Sequence, residues 1–259
     1  MMWLLFLALT SWAESPTCKA MKTALVSRPT LEIRMVFGYK DARPARFVGD
    51  RHERLAFIEH ITAPCEGDQM ACGFERSPRD ADLFTKPVSF GDHMLTARII
   101  VVNSSVGTDD EENRSDPFQK WKSAHARLVF LDGLKNADVV LYDGHSRFGG
   151  GPDFRSPVLA SNGNVDPDAY RTEKAGLKRM LEAFEEASAA RAGRFGRLKL
   201  LGLYSCTSSQ LFNREIRHVF QGGLIASQQL MYYSDALSQS LTALDDVLSG
   251  RCPRNVGFD

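Results

Sequence analysis

Short apolar segments alternate with amphipathic segments of helical length from about residue 95 onward, and this alternation constrains the fold more than any other feature. Four segments are rich in aliphatic and β-branched residues, a pattern typical of strands buried on both faces. They cover residues 95–103, 138–143, 198–204 and 222–227. Because parallel strands are connected through helices, the sequence predicts an α/β protein, a three-layer α/β/α sandwich with a mostly parallel sheet.

The segments between these strands carry helix signals. Asp116-Pro117 and Asp166-Pro167 each combine an N-cap residue with a proline suited to the first helical position. The acidic stretch 107–116 is expected to be a loop. In the helix after Pro117, four residues recur at helical spacing and predict one apolar face: Trp121, Ala124, Leu128 and Leu131.

The N-terminal part of the chain is predicted to be processed and exported. Residues 2–9 form a compact apolar core, and small residues at Ser11 and Ala13 occupy the positions that signal peptidase reads, so residues 1–13 are interpreted as a signal peptide. We therefore expect a secreted or periplasmic protein. Residues 14–94 are less regular and predict a β- and loop-rich extension packed on the core, while residues 95–259 are assigned to the α/β domain.

Composition excludes several classes of protein. The 32 Lys and Arg residues balance 32 Asp and Glu residues, so a generally basic nucleic-acid-binding protein is excluded. Beyond the N-terminus, no apolar run approaches the roughly 18 residues of a membrane span. The histidines form no HExxH motif or compact Cys/His cluster, and the acidic stretch lacks EF-hand spacing, so no metal is expected. We expect a monomer without a cofactor.

The five cysteines are expected to form two disulfides, because an oxidising compartment favours pairing. Cys65 and Cys72 flank a short polar loop and are predicted to close it. Cys18 and Cys252 lie near opposite termini, which often meet at a domain surface, and are predicted to form the second bridge. Cys206 is then left as a free thiol.

Two of the predicted strands end next to residues that carry chemistry. His145 follows the strand 138–143, and Cys206 follows the strand 198–204. Neighbouring parallel strands lie about 4.8 Å apart, and functional sites of open α/β sheets form beyond the carboxyl ends of the strands. A thiol needs a nearby base to act as a nucleophile, and imidazole is the usual one. The sequence therefore predicts a His–Cys pair at this edge.

The blocks VVLYDGHS (139–146) and LLGLYSC (200–206) resemble the His and Cys blocks of the caspase-like cysteine peptidases, which include caspases, gingipain, clostripain and legumain. The resemblance covers about residues 95–250 and implies an α/β/α sandwich in which His145 and Cys206 form a catalytic dyad. Two positions depart from the family pattern. Ser146 stands where glycine is usual, and Tyr204 stands where an acidic residue or glutamine is frequent.

The implied reaction is acyl transfer on a peptide or protein substrate, with Cys206 as the nucleophile and His145 as the acid–base group. The backbone N–H groups of Ser146 and Cys206 are expected to stabilise the oxyanion. Asp143 either orients His145 or is simply a turn residue at the strand end. The cleft is also expected to contain Arg147, Asp153 and Arg155.

Other motifs favour no competing chemistry. The run Gly149–Gly151 lacks the Gly-Lys-Ser/Thr of a phosphate-binding loop and predicts a flexible loop at the cleft edge, and the GxSxG motif of serine hydrolases is missing. Two classes of function remain open. One is an exported cysteine peptidase, and the other is a non-catalytic protein of the same fold that serves as an envelope-associated or secreted binding module. A peptidase needs Cys206 free and reactive.

Overall fold

The computed structural model describes residues 16–40, 49–189, 197–253 and 256–257. The predicted signal peptide, residues 1–13, lies outside the described residues. Within the described ranges, no helix is both long enough and apolar enough to cross a membrane.

The described strands form one sheet of eight in the order β2-β3-β4-β1-β5-β6-β7-β8. The five central strands, from β4 to β7 in this order, are parallel, whereas β2 and β3 at one edge and β8 at the other are antiparallel. The strands are β1 (Thr30–Phe37), β2 (Glu75–Arg76), β3 (Leu83–Phe90), β4 (His93–Asn103), β5 (Val139–Asp143), β6 (Leu200–Tyr204), β7 (Gly223–Ala226) and β8 (Val256–Gly257).

The four strands predicted from apolar runs are confirmed as β4, β5, β6 and β7, and they are parallel members of one sheet as predicted. Every residue of β5 and of β6 is buried. Burial on both faces explains why these strands show continuous apolar runs and no alternation with polar residues.

The N-terminal region supplies an interior strand of the parallel part of the sheet. β1 lies between β4 and β5 and is parallel to both. Its residues Ile33, Met35 and Phe37 are fully buried. The predicted extension over residues 14–94 is therefore not confirmed as a layer packed on the core. Spatial neighbours in a parallel sheet need not be neighbours along the chain, and this allows an early strand to enter the middle.

Helices cover both faces of the sheet, giving three layers. The helices α2 and α8 pack on one face, and α4, α6 and α7 pack on the other. The described helices are α1 (Pro16–Val26), α2 (Asp50–Thr62), α3 (Asp110–Ser115), α4 (Gln119–Asn136), α5 (Pro167–Glu173), α6 (Ala175–Ala189), α7 (Ser208–Val219) and α8 (Tyr233–Leu248).

Some helix boundaries differ from the sequence prediction. The stretch expected to be a loop contains α3, because the Asp109 side chain accepts hydrogen bonds from the backbone N–H groups of Glu111 and Glu112. The Asp166 cap is confirmed at the start of α5. The helix then breaks at Lys174, whose φ of 47° lies in the left-handed region, and α6 follows.

The apolar face predicted for α4 is wrong at Trp121 and Leu128, whereas Leu131 packs against the core. Trp121 and Leu128 point to solvent, while Ala126, Phe130 and Leu134 face the core. Both sets recur at helical spacing, so the helix carries two apolar stripes and periodicity alone does not show which one is buried.

Both predicted disulfides are present. Cys18 and Cys252 have Cα atoms 6.0 Å apart and join α1 to the segment after α8. Cys65 and Cys72 have Cα atoms 5.1 Å apart and close a short loop. Cys206 is free, and two disulfides fit an oxidising compartment.

Candidate active site

Strand register brings the positions of His145 and Cys206 together. Asp143 of β5 pairs with Tyr204 of β6, and the Gly144 N–H donates to the Tyr204 carbonyl at 3.2 Å. His145 and Cys206 each follow two residues later, so they occupy equivalent positions beyond two neighbouring parallel strands. Tyr204 packs in the core layer of α2 and α8, and Cys206, in the turn that follows β6, contacts Met231 just before α8.

The segment that leads into α8 contacts both side chains. The Cys206 Sγ accepts a hydrogen bond from the Met231 N–H at 3.4 Å and donates to the Met231 carbonyl at 3.7 Å. The His145 ring packs edge-on against Tyr233, with ring centroids 6.4 Å apart. In the part of the chain that the structure describes, no hydrogen bond joins His145 to Cys206, and both residues are half-buried.

Left-handed backbone conformations follow both residues. Arg147, Phe148 and Thr207 have φ angles of 45°, 52° and 50°. Such conformations are costly for non-glycine residues and concentrate at functional sites. Within the described residues, the backbone N–H groups of Ser146 and Cys206 donate to no protein acceptor, whereas the Thr207 N–H donates to the Gln229 carbonyl. Two N–H groups are therefore free beside the thiol and the imidazole.

A buried ion cluster lies beside this pair. Lys40, the third residue after β1, is almost fully buried, and its Nζ donates to both carboxylate oxygens of Glu53 at 2.9 and 2.7 Å. The same Nζ donates to the Asp143 carboxylate. It also lies 4.7 Å from the centroid of the Tyr233 ring, which in turn contacts His145. Sequence reasoning missed this cluster, whose only local signal is a lysine just beyond an apolar strand.

Burial and charge shift the pKa values of this cluster in opposite directions. Burial opposes the charged form of Lys40, but Asp143 and Glu53 outweigh it and raise the pKa of Lys40. Burial raises the pKa of Glu53 to about 8, and it also raises the pKa of Asp143. Two buried carboxyls face one ammonium group, so the cluster retains a proton near neutral pH.

The environment of His145 favours the neutral imidazole. Burial lowers its pKa well below the ordinary 6.5, and the positive charges of Arg147 and Lys40 act in the same direction. Asp143 is paired with Lys40 and, among the described contacts, does not bond to His145. The imidazole is therefore held in its neutral form, and the same burial and charges oppose its conversion to imidazolium.

The predicted cleft residues Arg147 and Asp153 pair with each other. The Arg147 Nε donates to Asp153 Oδ2 at 2.9 Å, and the Arg147 guanidinium lies 5.7 Å from the centroid of the Tyr170 ring. Both members of the ion pair are buried, whereas Arg155 is exposed. Arg147 and Asp153 thus neutralise each other beneath the loop that follows His145.

The glycine run differs from the flexible loop that its composition predicts. Gly151 has a φ of 101°, and a Cβ there would meet the Leu177 backbone nitrogen at 2.1 Å. The Leu177 N–H also donates to the Gly150 carbonyl at 2.9 Å. The run is therefore packed against the start of α6, and glycine is required by this close approach.

An apolar cavity lies away from this site, at the opposite edge of the sheet. Its walls include Leu198 and Gly223, which stand at the amino ends of β6 and β7. Among the described residues, no group of three or more His, Cys, Asp or Glu side chains is arranged to hold a metal ion.

Compared with known proteins, the chain matches no family model, no curated protein and no solved structure. Its function is therefore inferred from its own residues and their geometry.

Proposed function

We propose that the protein is an exported cysteine peptidase in which Cys206 is the nucleophile and His145 is the acid–base group. The observation that carries this proposal is the pairing of Asp143 with Tyr204, since it aligns the positions two residues further along. Cys206 is also the free cysteine of a chain whose other cysteines are bridged. The resemblance of both blocks to caspase-like cysteine peptidases suggests the same chemistry.

The reaction follows from the protonation states. Neutral His145 accepts the Cys206 proton as Sγ attacks the peptide carbonyl carbon, forming a C–S bond and an oxyanion. The imidazolium then gives its proton to the departing amine as the C–N bond breaks, leaving a thioester. Water, deprotonated by His145, hydrolyses the thioester and restores the thiol.

The free N–H groups of Ser146 and Cys206 support the oxyanion part of the proposal. Preorganised donors matter most where charge develops in the transition state. Neither N–H group needs to break a hydrogen bond to a described residue before it donates to the oxyanion. The serine at position 146 does not remove its backbone N–H.

A second candidate is favoured by the contacts of Met231. Its N–H and carbonyl both contact the Cys206 thiol, whereas no hydrogen bond joins this thiol to His145 among the described residues. If the contacts between Met231 and Cys206 are permanent, the protein is non-catalytic and serves as a secreted or envelope-associated binding module.

The test combines thiol labelling with peptide hydrolysis. We expect iodoacetamide to label Cys206 in the folded protein, and a broad peptide library to be cleaved at neutral pH. Cys206→Ala should abolish both, and His145→Ala should reduce hydrolysis by orders of magnitude while slowing labelling. The control is His218→Ala, which changes an exposed histidine on α7 and should leave both unchanged.

Two outcomes contradict the peptidase. Hydrolysis that persists in Cys206→Ala excludes this nucleophile. An unreactive thiol together with no cleavage by the folded chain supports the binding module. Mass spectrometry of the exported chain separately tests processing after Ala13.

A further inference from the structure

The hydroxyl group of Tyr142 reaches the loop that begins at His145. Tyr142 is the fourth residue of β5 and is fully buried. Its ring packs edge-on against the rings of Phe130 and Phe154, with both centroid separations at 5.6 Å. A Cβ at Gly144 would overlap the hydroxyl, so the glycine before His145 allows this close approach. The packed ring and the loop thus hold the hydroxyl in one place.

The hydroxyl has one proton to donate, because burial raises the pKa of Tyr142 and keeps the group protonated. Two carbonyl oxygens lie within reach, that of His145 at 3.0 Å and that of Asp153 at 3.3 Å. The Asp153 carbonyl already accepts the Tyr39 N–H at 3.1 Å, whereas the His145 carbonyl accepts no other hydrogen bond among the described residues. The Asp153 N–H donates to the hydroxyl oxygen at 3.0 Å. The hydroxyl proton therefore belongs to the His145 carbonyl.

The His145 carbonyl and the Ser146 N–H belong to the same peptide unit. A peptide unit is a rigid plane, and in its usual trans form the two groups point in opposite directions. On the far side of Ser146, the Ser146 carbonyl accepts from the N–H groups of Gly149 and Gly151 at 3.1 and 3.3 Å. Both peptide planes at Ser146 are thus fixed, and its N–H faces away from the Tyr142 hydroxyl. A hydrogen bond to the carbonyl also polarises the N–H of the same unit.

We propose that Tyr142 is a positioning residue for the oxyanion donor of the peptidase, with its hydroxyl fixing the 145–146 peptide so that the Ser146 N–H faces the substrate carbonyl oxygen. This inference rests on the proposed function. Donors stabilise a developing charge best when they are oriented before the reaction. The effect reaches the substrate oxygen through the His145 backbone, and the proton transfer between the side chains of His145 and Cys206 does not involve it.

Tyr142→Phe removes the hydroxyl and keeps the ring. With the library peptide that is cleaved fastest, we expect kcat to fall by about ten- to hundred-fold at unchanged KM. Outright loss of an oxyanion donor costs about 100- to 1000-fold, and here the donor remains but is no longer held. An aldehyde built on the same peptide, which forms a tetrahedral adduct with Cys206, should bind more weakly by a similar factor. Alkylation of Cys206 by iodoacetamide forms no oxyanion, so its rate should stay the same.

Tyr39→Phe is the matched control. Tyr39 is also fully buried, and its hydroxyl donates to Asp110 and accepts from the Asn113 side chain. The substitution therefore removes a buried, hydrogen-bonded hydroxyl away from the His145 loop. It should lower the urea midpoint about as much as Tyr142→Phe does, and it should leave kcat and the affinity for the aldehyde unchanged.

Three kinds of result would overturn the inference. An unchanged kcat in Tyr142→Phe, with Cys206→Ala inactive, rejects the role of Tyr142 and leaves the peptidase in place. An equal loss of kcat in Tyr39→Phe, or a loss in Tyr142→Phe that is matched by slower alkylation, assigns the effect to a general disturbance of the fold. An unchanged chain that neither cleaves peptides nor binds a peptide aldehyde rejects the proposed function, and this inference with it.

Discussion

Lys40 holds two carboxyl groups that the fold buries away from solvent. Its Nζ bonds to Glu53 and to Asp143, and all three side chains are buried. Removing one partner of a buried ion cluster lowers the free energy of unfolding far more than replacing the whole cluster by apolar residues. The reason is that the remaining charges stay desolvated. The Lys40 ammonium group lies over the ring of Tyr233, and this ring in turn packs against the ring of His145.

Lys40→Met should lower the free energy of unfolding by about 3–5 kcal/mol, measured by urea denaturation. The variant that also carries Glu53→Gln and Asp143→Asn should recover most of this loss, since it removes the uncompensated carboxylates. A loss below about 1 kcal/mol for Lys40→Met alone would contradict the role assigned to this ammonium group.

Glu53 should make stability depend on pH above 6.5. Its pKa is raised from 4.5 to about 8 by burial, so between these values the folded state retains a proton that the unfolded state has released. The free energy of unfolding should therefore fall as pH rises toward 8. His145 has a lowered pKa and acts oppositely, but only below its ordinary value of 6.5.

Urea denaturation at pH 6.5 and at pH 8.5 measures this effect, and Glu53→Gln is the matched variant. The decline between the two pH values should be smaller in the variant than in the unchanged chain. An equal decline in both proteins would assign the pH dependence to other groups.

The sequence predicts the spatial neighbours of some residues and not those of others. The neighbourhood of His145 and Cys206 was predictable, because each follows an apolar run and parallel strands end at one edge. The contact of Lys40 with Asp143 was not predictable, since it spans 103 residues and depends on where β1 enters the sheet. The Met231 contact depends equally on how the segment before α8 folds back.

Strands and helix faces could be predicted where their sequence pattern is compatible with only one arrangement. β5 and β6 are buried on both faces and show it as uninterrupted apolar runs. β1 is just as buried, but no local pattern states that it lies between β4 and β5. α4 carries two apolar stripes, and only packing decides which one faces the sheet.

The two disulfides should contribute unequally to stability. Chain entropy gives about 5 kcal/mol for Cys18–Cys252, which spans 234 residues, and about 2 kcal/mol for Cys65–Cys72, which spans 7. Replacing each pair by serine should therefore lower the urea midpoint more for the first pair than for the second. The reverse order would show that native contacts of the short loop, and not chain entropy, dominate.

At the scale of the whole molecule, the position of β1 decides whether residues 14–94 and 95–259 are separable. A fragment of residues 95–259 would lack β1 and expose the facing edges of β4 and β5, together with the apolar surface that Ile33, Met35 and Phe37 cover. It would also lose α2 from one layer and Cys18 from its bridge to Cys252. We expect this fragment to show no cooperative urea unfolding and no dispersed amide NMR spectrum, whereas the fragment 14–259 should show both. If the fragment 95–259 folds cooperatively, the region before residue 95 is an extension. In that case β1 is added to a core that folds without it.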